Sequence, residues 1–292
     1  MSAAAEPDCT RVRVVTDSVS DVPSDLAAAL GVTVVPVTVR LDSREYRDRV
    51  DITMQEFMAR LARTTEPVRT SQPSPGEFIQ AFRSAGEGGR PVVAVQCSSK
   101  FSGTYQSACI ARDILTPEGY RIDVVDTKSG SMGQGWAVIG AARAALTGLS
   151  FERVAQVARD ISARVKVFLT LDTLSYLQRN GRLGAIRAAV GSVLGLKPII
   201  TVRDGELCLA DAAFGAERAM HRLVGAIGRA VRRRARVALA VAHVAAAEKA
   251  EALRRELERL YDVVESLITE TGPAIAANVG PGGYGAMLYE VE

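Results

Sequence analysis

The sequence contains few of the side chains that carry redox, metal or acid–base chemistry. Its 292 residues include two histidines and four cysteines. The cysteines are scattered, with no C-x-x-C spacing. This pattern fits neither a zinc site nor a disulfide framework, and it suits a protein of a reducing compartment. The four cysteines are Cys9, Cys97, Cys109 and Cys208. The carboxylates form no cluster with metal-ligand spacing, so we predict neither a metal site nor a bound cofactor.

The chain also lacks a targeting signal and any long apolar run. Its first ten residues have no basic start followed by an apolar stretch, and we predict that they are disordered. No segment approaches the roughly 18 uninterrupted apolar residues of a membrane span. The net charge of +3 is too small to indicate nucleic-acid binding. We expect a cytoplasmic monomer without stable membrane insertion.

One local exception to this low charge is the segment from Arg229 to Arg236, which holds five arginines in eight positions. Cations at the carboxyl end of a helix are stabilised by the negative end of the helix dipole. We therefore interpret the segment as a solvated helix end, with docking of an acidic partner as the alternative.

Aliphatic residues dominate the predicted core, because 48% of the chain is hydrophobic and only 5% is aromatic. The length suits one large domain or two of ordinary size. Residues 12–150 alternate short apolar runs with helical patterns, which indicates β-α-β units around a mainly parallel sheet. Strands are predicted at Arg13–Val15, Val32–Leu41, Val92–Cys97 and Ile122–Val125, and helices at Pro23–Leu30, Met54–Arg63, Pro75–Ala85, Thr104–Leu115 and Met132–Thr147.

A break at Gly148 and Ser150 leads through a connecting helix, Phe151 to Val165, into a second α/β unit. We predict two α/β domains, residues 11–164 and 165–292, with a ligand between or beneath them. The second contains a hairpin around residues 203–205, flanked by strands and helices. These are strand Lys166–Leu171, a helical stretch to Leu194, hairpin Lys197–Ala212, helix Ala216–Arg232, strand Val237–Ala242, helix Ala246–Tyr261 and strands near Val263–Thr269 and Ala286–Val291.

The most informative feature that is present is a turn crowded with hydroxyl groups. The buried strand that ends near Val95 is followed by Ser98, Ser99, Ser102 and Thr104, and a helix begins at once. Free backbone N–H groups, the positive end of a helix dipole and hydroxyl donors together suit a carboxylate or phosphate. Similar loops occur at Thr16-Asp17-Ser18 and at Thr70-Ser71. The hydroxyl loops predict an anion pocket at the carboxyl ends of the strands.

Helix capping is the competing interpretation of each hydroxyl loop. Ser74-Pro75-Gly76-Glu77 is a capping box with proline at the first helical position, and this explains Ser74 without a ligand. Thr53 to Glu56 is a second capping box. A cap needs only one hydroxyl, whereas the loop around Ser102 supplies four. Residue chemistry alone leaves the role of Ser102 open between cap and ligand contact.

Seven short motifs follow one another from about residue 12 to the C-terminus. They are Thr16-Asp17-Ser18 with Asp21; Thr70-Ser71-Gln72-Pro73; Ser98-Ser99 with Ser102-Gly103-Thr104-Tyr105; Val125-Asp126-Thr127 with Gly133-Gln134-Gly135; Leu174-Ser175-Tyr176-Leu177 with Gly181-Arg182; Leu196-Lys197-Pro198-Ile199-Ile200; and Gly280-Pro281-Gly282. In this order they resemble the DegV family. Each motif alone is weak, but the whole series is specific.

The resemblance implies a two-domain α/β protein that encloses one long-chain fatty acid in an apolar tunnel. In the FakB branch of the family, such a protein presents the carboxyl group to a separate fatty acid kinase, which makes an acyl phosphate. By the resemblance, the hydroxyl groups of Thr70 and Ser102 bind the carboxyl group, and we expect Asn278 to contact it as well. The supporting pocket residues are Thr16, Asp17, Ser18, Ser71, Ser98, Ser99, Gly103, Thr104, Arg182, Gly280 and Gly282. An Asp beside an anion would repel it, so Asp17 is expected to orient hydroxyl and N–H groups indirectly.

Two positions depart from the family pattern. Asn278 stands two residues before the Gly-Pro-Gly loop, where the family usually has His, and the segment 212–217 lacks a basic residue often seen in the acyl-kinase branch. An Asn amide can donate a hydrogen bond but cannot titrate near neutral pH. We therefore expect a head-group contact at Asn278 that varies little between about pH 6 and 8, with capping of the glycine loop as the alternative.

Two enzymatic alternatives compete with the binding function. A serine hydrolase acting on acyl esters through Ser102 and Asp17 needs a histidine within hydrogen-bond reach, and only His221 and His243 exist. No G-x-S-x-G elbow occurs. The glycine-rich loop 280–285 lacks the Lys-Ser/Thr of a nucleotide-binding P-loop. We therefore favour a lipid-binding protein without catalytic activity of its own and keep the hydrolase as the alternative.

Overall fold

The computed structural model describes residues 11–184, 186 and 195–291. The strands are β1 (Arg13–Asp17), β2 (Thr33–Val35), β3 (Thr38–Leu41), β4 (Arg44–Arg47), β5 (Arg69–Ser71), β6 (Val92–Gln96), β7 (Ile122–Asp126), β8 (Lys166–Thr170), β9 (Leu196–Arg203), β10 (Glu206–Phe214), β11 (Arg236–His243), β12 (Asp262–Glu270) and β13 (Tyr284–Glu290). The helices are α1 (Ser24–Ala29), α2 (Met54–Leu61), α3 (Pro75–Ala85), α4 (Thr104–Leu115), α5 (Met132–Leu146), α6 (Phe151–Arg164), α7 (Ser175–Arg179), α8 (Ala216–Ala230), α9 (Ala247–Leu260) and α10 (Pro273–Val279).

The N-terminal half is built on a parallel sheet with the strand order β2-β1-β6-β7. Successive side chains of β6 point to opposite faces, so Val93 and Val95 join one buried cluster while Val92 and Ala94 join another. Helices α3 and α4 cover one face, and α5 and α6 cover the other. The predicted parallel α/β architecture is confirmed.

The prediction of one continuous strand over Val32–Leu41 was wrong. Pro36 separates β2 from β3, and the two strands belong to different sheets. Proline lacks the N–H group that a ladder requires, which accounts for the break at this position. Strand β3 instead forms a small antiparallel sheet with β4 and β5. Neither of these short partners was predicted, although β5 carries Thr70.

The second half contains a six-stranded mixed sheet with the order β10-β9-β8-β13-β11-β12. The predicted hairpin is confirmed, and its turn, Asp204-Gly205, has a positive φ at both residues, 47° and 81°. Such turns match the twist of the paired strands. Helices α8 and α9 cover one face of this sheet.

Helix α5 lies between the two large sheets. Its neighbours include β1 and β6 on one side and β11 and β13 on the other. Trp136 is 1% exposed and donates a hydrogen bond from Nε1 to the carbonyl oxygen of Met287, 3.0 Å away. This packing joins the N-terminal sheet to the C-terminal one. The boundary at residue 164 stays a prediction.

Several predicted features of the helices are confirmed. The capping boxes at Thr53 and Ser74 are both present, and α3 and α4 have the predicted limits. The predicted helical stretch leading to Leu194 is represented by α7, while residues 185 and 187–194 lie outside the described residues. Cys9 and the N-terminal segment 1–10 also lie outside them.

Candidate functional site

A cavity lies between the six-stranded sheet and the loops of the N-terminal half. Its accessible volume is about 160 Å³. Its inner end is apolar and deeply buried: Val167 and Met287 are each 5% exposed, and Ala242 is 3% exposed. Val202 and Leu207 continue this apolar lining. The inner end therefore suits a hydrocarbon and offers little to a polar group.

The mouth of the cavity is polar and reaches the protein surface. Ser71, Gln72 and Arg182 line it and are exposed, whereas Thr70 and Ser102 are half-buried. Strand β5 carries Thr70 and Ser71, and Ser102 lies just before α4. The Arg182 guanidinium donates a hydrogen bond to the carbonyl oxygen of Asn180. The cavity thus combines a hydroxyl-lined mouth with an apolar interior.

The three predicted carboxyl-binding residues all line this one cavity. Thr70, Ser102 and Asn278 come from β5, the loop before α4 and helix α10. Ser71 and Arg182, predicted as supporting residues, line it as well. Their contact with a ligand remains a prediction.

The local structure around Ser102 combines both interpretations of the hydroxyl loop. The N-cap residue of α4 is Gly103, which has no side-chain hydrogen bond to offer. Ser102 Oγ accepts from the backbone N–H of Thr104 at 3.3 Å and lies 2.8 Å from Thr104 Oγ1. Gly103 packs closely on Gln72, whose Nε2 would lie 2.9 Å from an added Cβ. Ser102 thus stabilises the helix start and still lines the cavity.

Thr16 and Asp17 lie behind the cavity wall and do not line it. The Asp17 carboxylate is fully buried and accepts hydrogen bonds from the backbone N–H groups of Val19 and Cys97, at 2.9 and 3.0 Å. Burial raises its pKa, against these hydrogen bonds. The predicted acceptance of loop N–H groups by Asp17 is present in the structure.

Gln134 is a buried organiser of this wall that the sequence reasoning missed. Its Nε2 lies 3.0 Å from Thr16 Oγ1, 3.0 Å from Asp17 Oδ2 and 3.2 Å from the carbonyl oxygen of Val95. Thr16 in turn donates to the same carbonyl oxygen at 2.7 Å. The signal in the sequence was the polar Gln between Gly133 and Gly135 in an otherwise apolar helix.

The remaining serines of the predicted pocket hold loops together. Ser98 Oγ donates to the carbonyl oxygen of Gly205 at 2.8 Å, which ties the hydroxyl loop to the turn of the β9–β10 hairpin. Ser99 Oγ donates to Asp126 at 2.6 Å, and Ser18 Oγ accepts from the N–H of Val37 at 3.1 Å. These three residues do not line the cavity, so their part in a binding site is indirect.

The Gly-Pro-Gly loop borders the cavity through its neighbour Gly283 and not through Gly280 or Gly282. Both of these glycines have a positive φ, 75° and 80°, which favours glycine. A Cβ on Gly280 would overlap the Tyr176 ring, and one on Gly282 would overlap the Asp172 carboxylate. The loop needs glycine for close packing against these two side chains.

Helix α10 forms one wall of the cavity. Ala274, Ile275, Asn278 and Val279 line it, and this spacing corresponds to one face of a helix. Asn278 Nδ2 donates to the carbonyl oxygen of Ala274 at 2.9 Å. Its buried Oδ1 has no hydrogen-bond partner. Asn278 therefore keeps unused hydrogen-bonding capacity next to the cavity.

His243 also lines the cavity, although we did not predict it as a site residue. It is 7% exposed, and Nδ1 accepts from the backbone N–H of Ala246 at 3.3 Å. The proton of the neutral ring is therefore on Nε2. Burial lowers the pKa of His243, with Glu270 acting in the opposite direction. The available signal was the position of His243 at the end of a buried strand.

The described residues do not have the geometry that a serine hydrolase requires. A triad histidine donates from Nδ1 to a carboxylate, whereas Nδ1 of His243 accepts from a backbone N–H. The hydroxyl of Ser102 pairs with Thr104. His221 is exposed on α8. Across residues 11–184, 186 and 195–291, no hydrogen-bonded Ser-His-Asp chain is formed.

Two other kinds of site are absent from the described part of the chain. Its His, Cys, Asp and Glu residues form no group of three or more that could hold a metal ion. None of its helices has the length and apolar character needed to cross a bilayer.

Comparison with known proteins identifies the family. A family model described as "Uncharacterised protein, DegV family" matches residues 11–291. The chain belongs to the DegV family. A DegV domain-containing protein of Caldanaerobacter subterraneus is 33% identical to it over 280 residues, which cover 96% of this chain and 99% of that protein.

Solved DegV structures share the whole fold. A DegV family protein from Thermus thermophilus, described as binding fatty acid, is 35% identical with a TM-score of 0.90, covering 96% of this chain and 100% of its own. A protein from Eubacterium ventriosum, described as binding stearic acid, is 26% identical with a TM-score of 0.85, covering 96% and 98%. The DegV fold therefore extends over both large sheets.

Proposed function

We propose that this DegV protein binds one long-chain fatty acid, with the acyl chain in the apolar interior of the cavity and the carboxyl group at its mouth. The polarity gradient of the cavity carries this proposal. Hydroxyl groups of Thr70 and Ser102 lie at a half-exposed mouth, while Val167 and Met287 lie at a buried apolar end. The fatty acids named for the Thermus and Eubacterium relatives support the same ligand class.

The acyl chain and the carboxyl group of the ligand contribute differently to binding. Burying about fifteen methylene groups at ~0.8 kcal/mol each gives roughly 12 kcal/mol before the costs of association. A hydrogen bond to a charged carboxylate contributes about 1.5–3 kcal/mol. The acyl chain therefore dominates affinity, and the hydroxyl groups fix which end of the ligand faces solvent.

An exposed carboxyl group leads to the second part of the proposal, presentation to a separate fatty acid kinase. Ser71, Gln72 and Arg182 surround the mouth and are exposed, so a second protein could reach a carboxyl group held there. Transfer of a phosphoryl group to that carboxylate would be performed by the kinase. The DegV protein itself would act as a cytoplasmic, monomeric carrier without a cofactor of its own.

The experiment has two arms. Denaturing mass spectrometry of the purified protein should detect about one fatty acid of roughly fourteen to eighteen carbons per chain, and delipidated protein should take up added stearate. Absence of both co-purified lipid and uptake would contradict fatty-acid binding. In the second arm, loaded protein is mixed with ATP and a purified bacterial fatty acid kinase. Failure to form acyl phosphate would contradict presentation and leave binding intact.

A further inference from the structure

A second pocket, here called the outer pocket, lies directly behind the apolar end of the cavity. Its lining comes from the loop after β7, from α6 and from the turn of the β9–β10 hairpin, and it includes Lys128, Ser162, Ala163, Arg203 and Asp204. Among the described residues, Val167 and Val202 alone line both this pocket and the cavity. Two valine side chains therefore separate the apolar interior from a pocket with exposed charged residues.

The register of the six-stranded sheet joins these two valines into a row of cavity-lining side chains. Val202 pairs with Leu207 on β10, and Val167 pairs with Met287 on β13. The register between β8 and β9 sets the two valines opposite each other. All four residues line the cavity, so the row crosses four neighbouring strands on one face of the sheet.

The cavity extends from this row in one direction only. Because side chains alternate between the two faces of a sheet, Leu169 shares the face of Val167, and it also lines the cavity. In the other direction, Val165 and Asp204 lie two residues beyond the valines, at the ends of their strands. Both line the outer pocket and not the cavity. The cavity therefore ends at the valines on this side.

The polar end of the cavity lies beyond the opposite end of β8. Helix α7 and then Arg182 follow the carboxyl end of this strand. Asn180 Nδ2 donates to the carbonyl oxygen of Ala277 at 2.9 Å, which places this segment beside Asn278. Arg182 and Asn278 both line the cavity. An acyl chain whose carboxyl group lies at the polar end therefore runs along β8 towards the two valines.

The two valines differ in how firmly they are packed. A Cβ added to Gly133, in the first turn of α5, would lie 2.7 Å from Val167 Cγ2, so the helix holds Val167 closely. Val167 is 5% exposed, whereas Val202 is half-buried. The barrier between the cavity and the outer pocket is therefore tightly packed at Val167 and thinner at Val202.

We propose that Val167 and Val202 form the end wall of the acyl-chain site and set the longest fatty acid that this protein accepts. The proposal rests on the fatty-acid function proposed above and adds its specificity for chain length. In it, the terminal methyl group of the ligand contacts the two valines. Truncating both side chains joins the cavity to the outer pocket, which gives a longer acyl chain room to extend.

The test is a competition between stearate and docosanoate, which has four more methylene groups, for the delipidated protein. Both acids are supplied in equal amounts, and the bound acid is extracted and quantified by mass spectrometry. Each further methylene that becomes buried raises affinity about fourfold, so burial of two is enough for a tenfold change. We expect wild type to take up stearate in at least tenfold excess, and this preference should fall at least tenfold in Val167→Ala/Val202→Ala.

Val237→Ala is the matched control. Val237 is 0% exposed on β11, packs on the face covered by α8 and α9, and lines neither the cavity nor the outer pocket. The same truncation there should leave the preference for stearate unchanged. If the double variant does not fold, Val202→Ala alone, at the half-buried position, should lower the preference at least threefold.

Three results would overturn the end wall. The first is an unchanged preference in a folded end-wall variant, and the second is equal uptake of both acids by wild type. The third is a shift of the same size in Val237→Ala, because any loss of packing in the sheet would then suffice. If wild type takes up neither acid, the fatty-acid function itself fails.

Discussion

At the scale of single residues, the account depends on where a few hydroxyl groups lie. Thr70 and Ser102 are far apart in the chain but line the same cavity mouth. Replacing both by alanine should weaken fatty-acid binding by about 3–6 kcal/mol, because two hydrogen bonds to a charged carboxylate are lost while the acyl chain stays buried. Titration of delipidated Thr70→Ala/Ser102→Ala with stearate measures the change.

Ser74→Ala is the control for this double variant. Ser74 belongs to the same hydroxyl-rich region, but its Oγ accepts from the N–H of Glu77 at 3.2 Å and caps α3. Its loss should lower the free energy of unfolding by about 1 kcal/mol and leave stearate affinity unchanged. Wild-type affinity in the double variant would show that the carboxyl group binds elsewhere in the cavity.

The sequence predicted the hydroxyl residues better than it predicted the polar residues that orient them. Thr70 and Ser102 belong to motifs with a local signature. Gln134 lies in the first turn of the largely apolar helix α5, and its three hydrogen-bonding neighbours come from β1 and β6. His243 becomes a cavity residue only when β11 is placed beside β13. Such long-range pairing leaves no signal in the local sequence.

At the scale of elements, α10 was the main omission. The segment Pro273–Val279 is only seven residues long and almost wholly apolar, so it shows no helical periodicity. It begins with proline at the first position and packs against β3 and β5. The β2–β3 break was missed for a related reason, because both strands are short and only Pro36 separates them. Tertiary packing decides such short elements.

A buried carboxylate that follows β4 and contacts the start of α10 should make stability depend on pH. Asp48 is 1% exposed and accepts from the N–H of Ala274 at 3.1 Å. Burial raises its pKa to about 6, against hydrogen bonds from Ser18 and Ala274, while Asp21 raises it further and Arg49 opposes. Below pH 3.8 the Asp48 carboxyl group is protonated in both the folded protein and the unfolded chain. Between pH 3.8 and about 6 it is ionised in the unfolded chain but still protonated in the folded protein. The contribution of Asp48 to stability should therefore fall by about 3 kcal/mol as the pH rises through this range and stay level above it.

Asp48→Asn removes this ionisation and can keep the acceptor for Ala274. Its advantage over wild type should grow by about 3 kcal/mol between pH 4 and pH 7. Urea unfolding at several pH values gives the two curves. Asp51→Asn, which changes an exposed carboxylate, is the control and should show the same fall in stability with rising pH as wild type. Parallel curves for Asp48→Asn and wild type would mean that Asp48 is ionised as easily in the folded protein as in the unfolded chain.

At the scale of the whole molecule, the cavity exists because helix α5 does not fill all of the space between the two large sheets. Helix α5 fills most of the space between them, and it is buried along nearly its whole length. Beyond its N-terminus, at Gly130 and Ser131, the filling ends and the cavity lies open. The α/β character and the two-part organisation were predictable from alternating patterns. The gap between the sheets was not, because it depends on which helix fills the space between them.

If a fatty acid occupies this cavity, a side chain that blocks the cavity should prevent its binding. Gly130 lines the cavity, and an added Cβ would lie 3.6–3.7 Å from Phe101 and Val19, which is ordinary contact. Gly130→Leu should therefore fill the space needed by the acyl chain. Gly228→Leu is the matched control on α8, where no atom lies within 4 Å of an added Cβ.

The deciding measurement is a stearate titration of the delipidated wild type and both variants, with unfolding curves to verify that each is folded. We expect one stearate per chain for wild type and Gly228→Leu, and at least a tenfold loss of affinity for folded Gly130→Leu. Wild-type affinity in folded Gly130→Leu would contradict the claim that the ligand occupies this cavity.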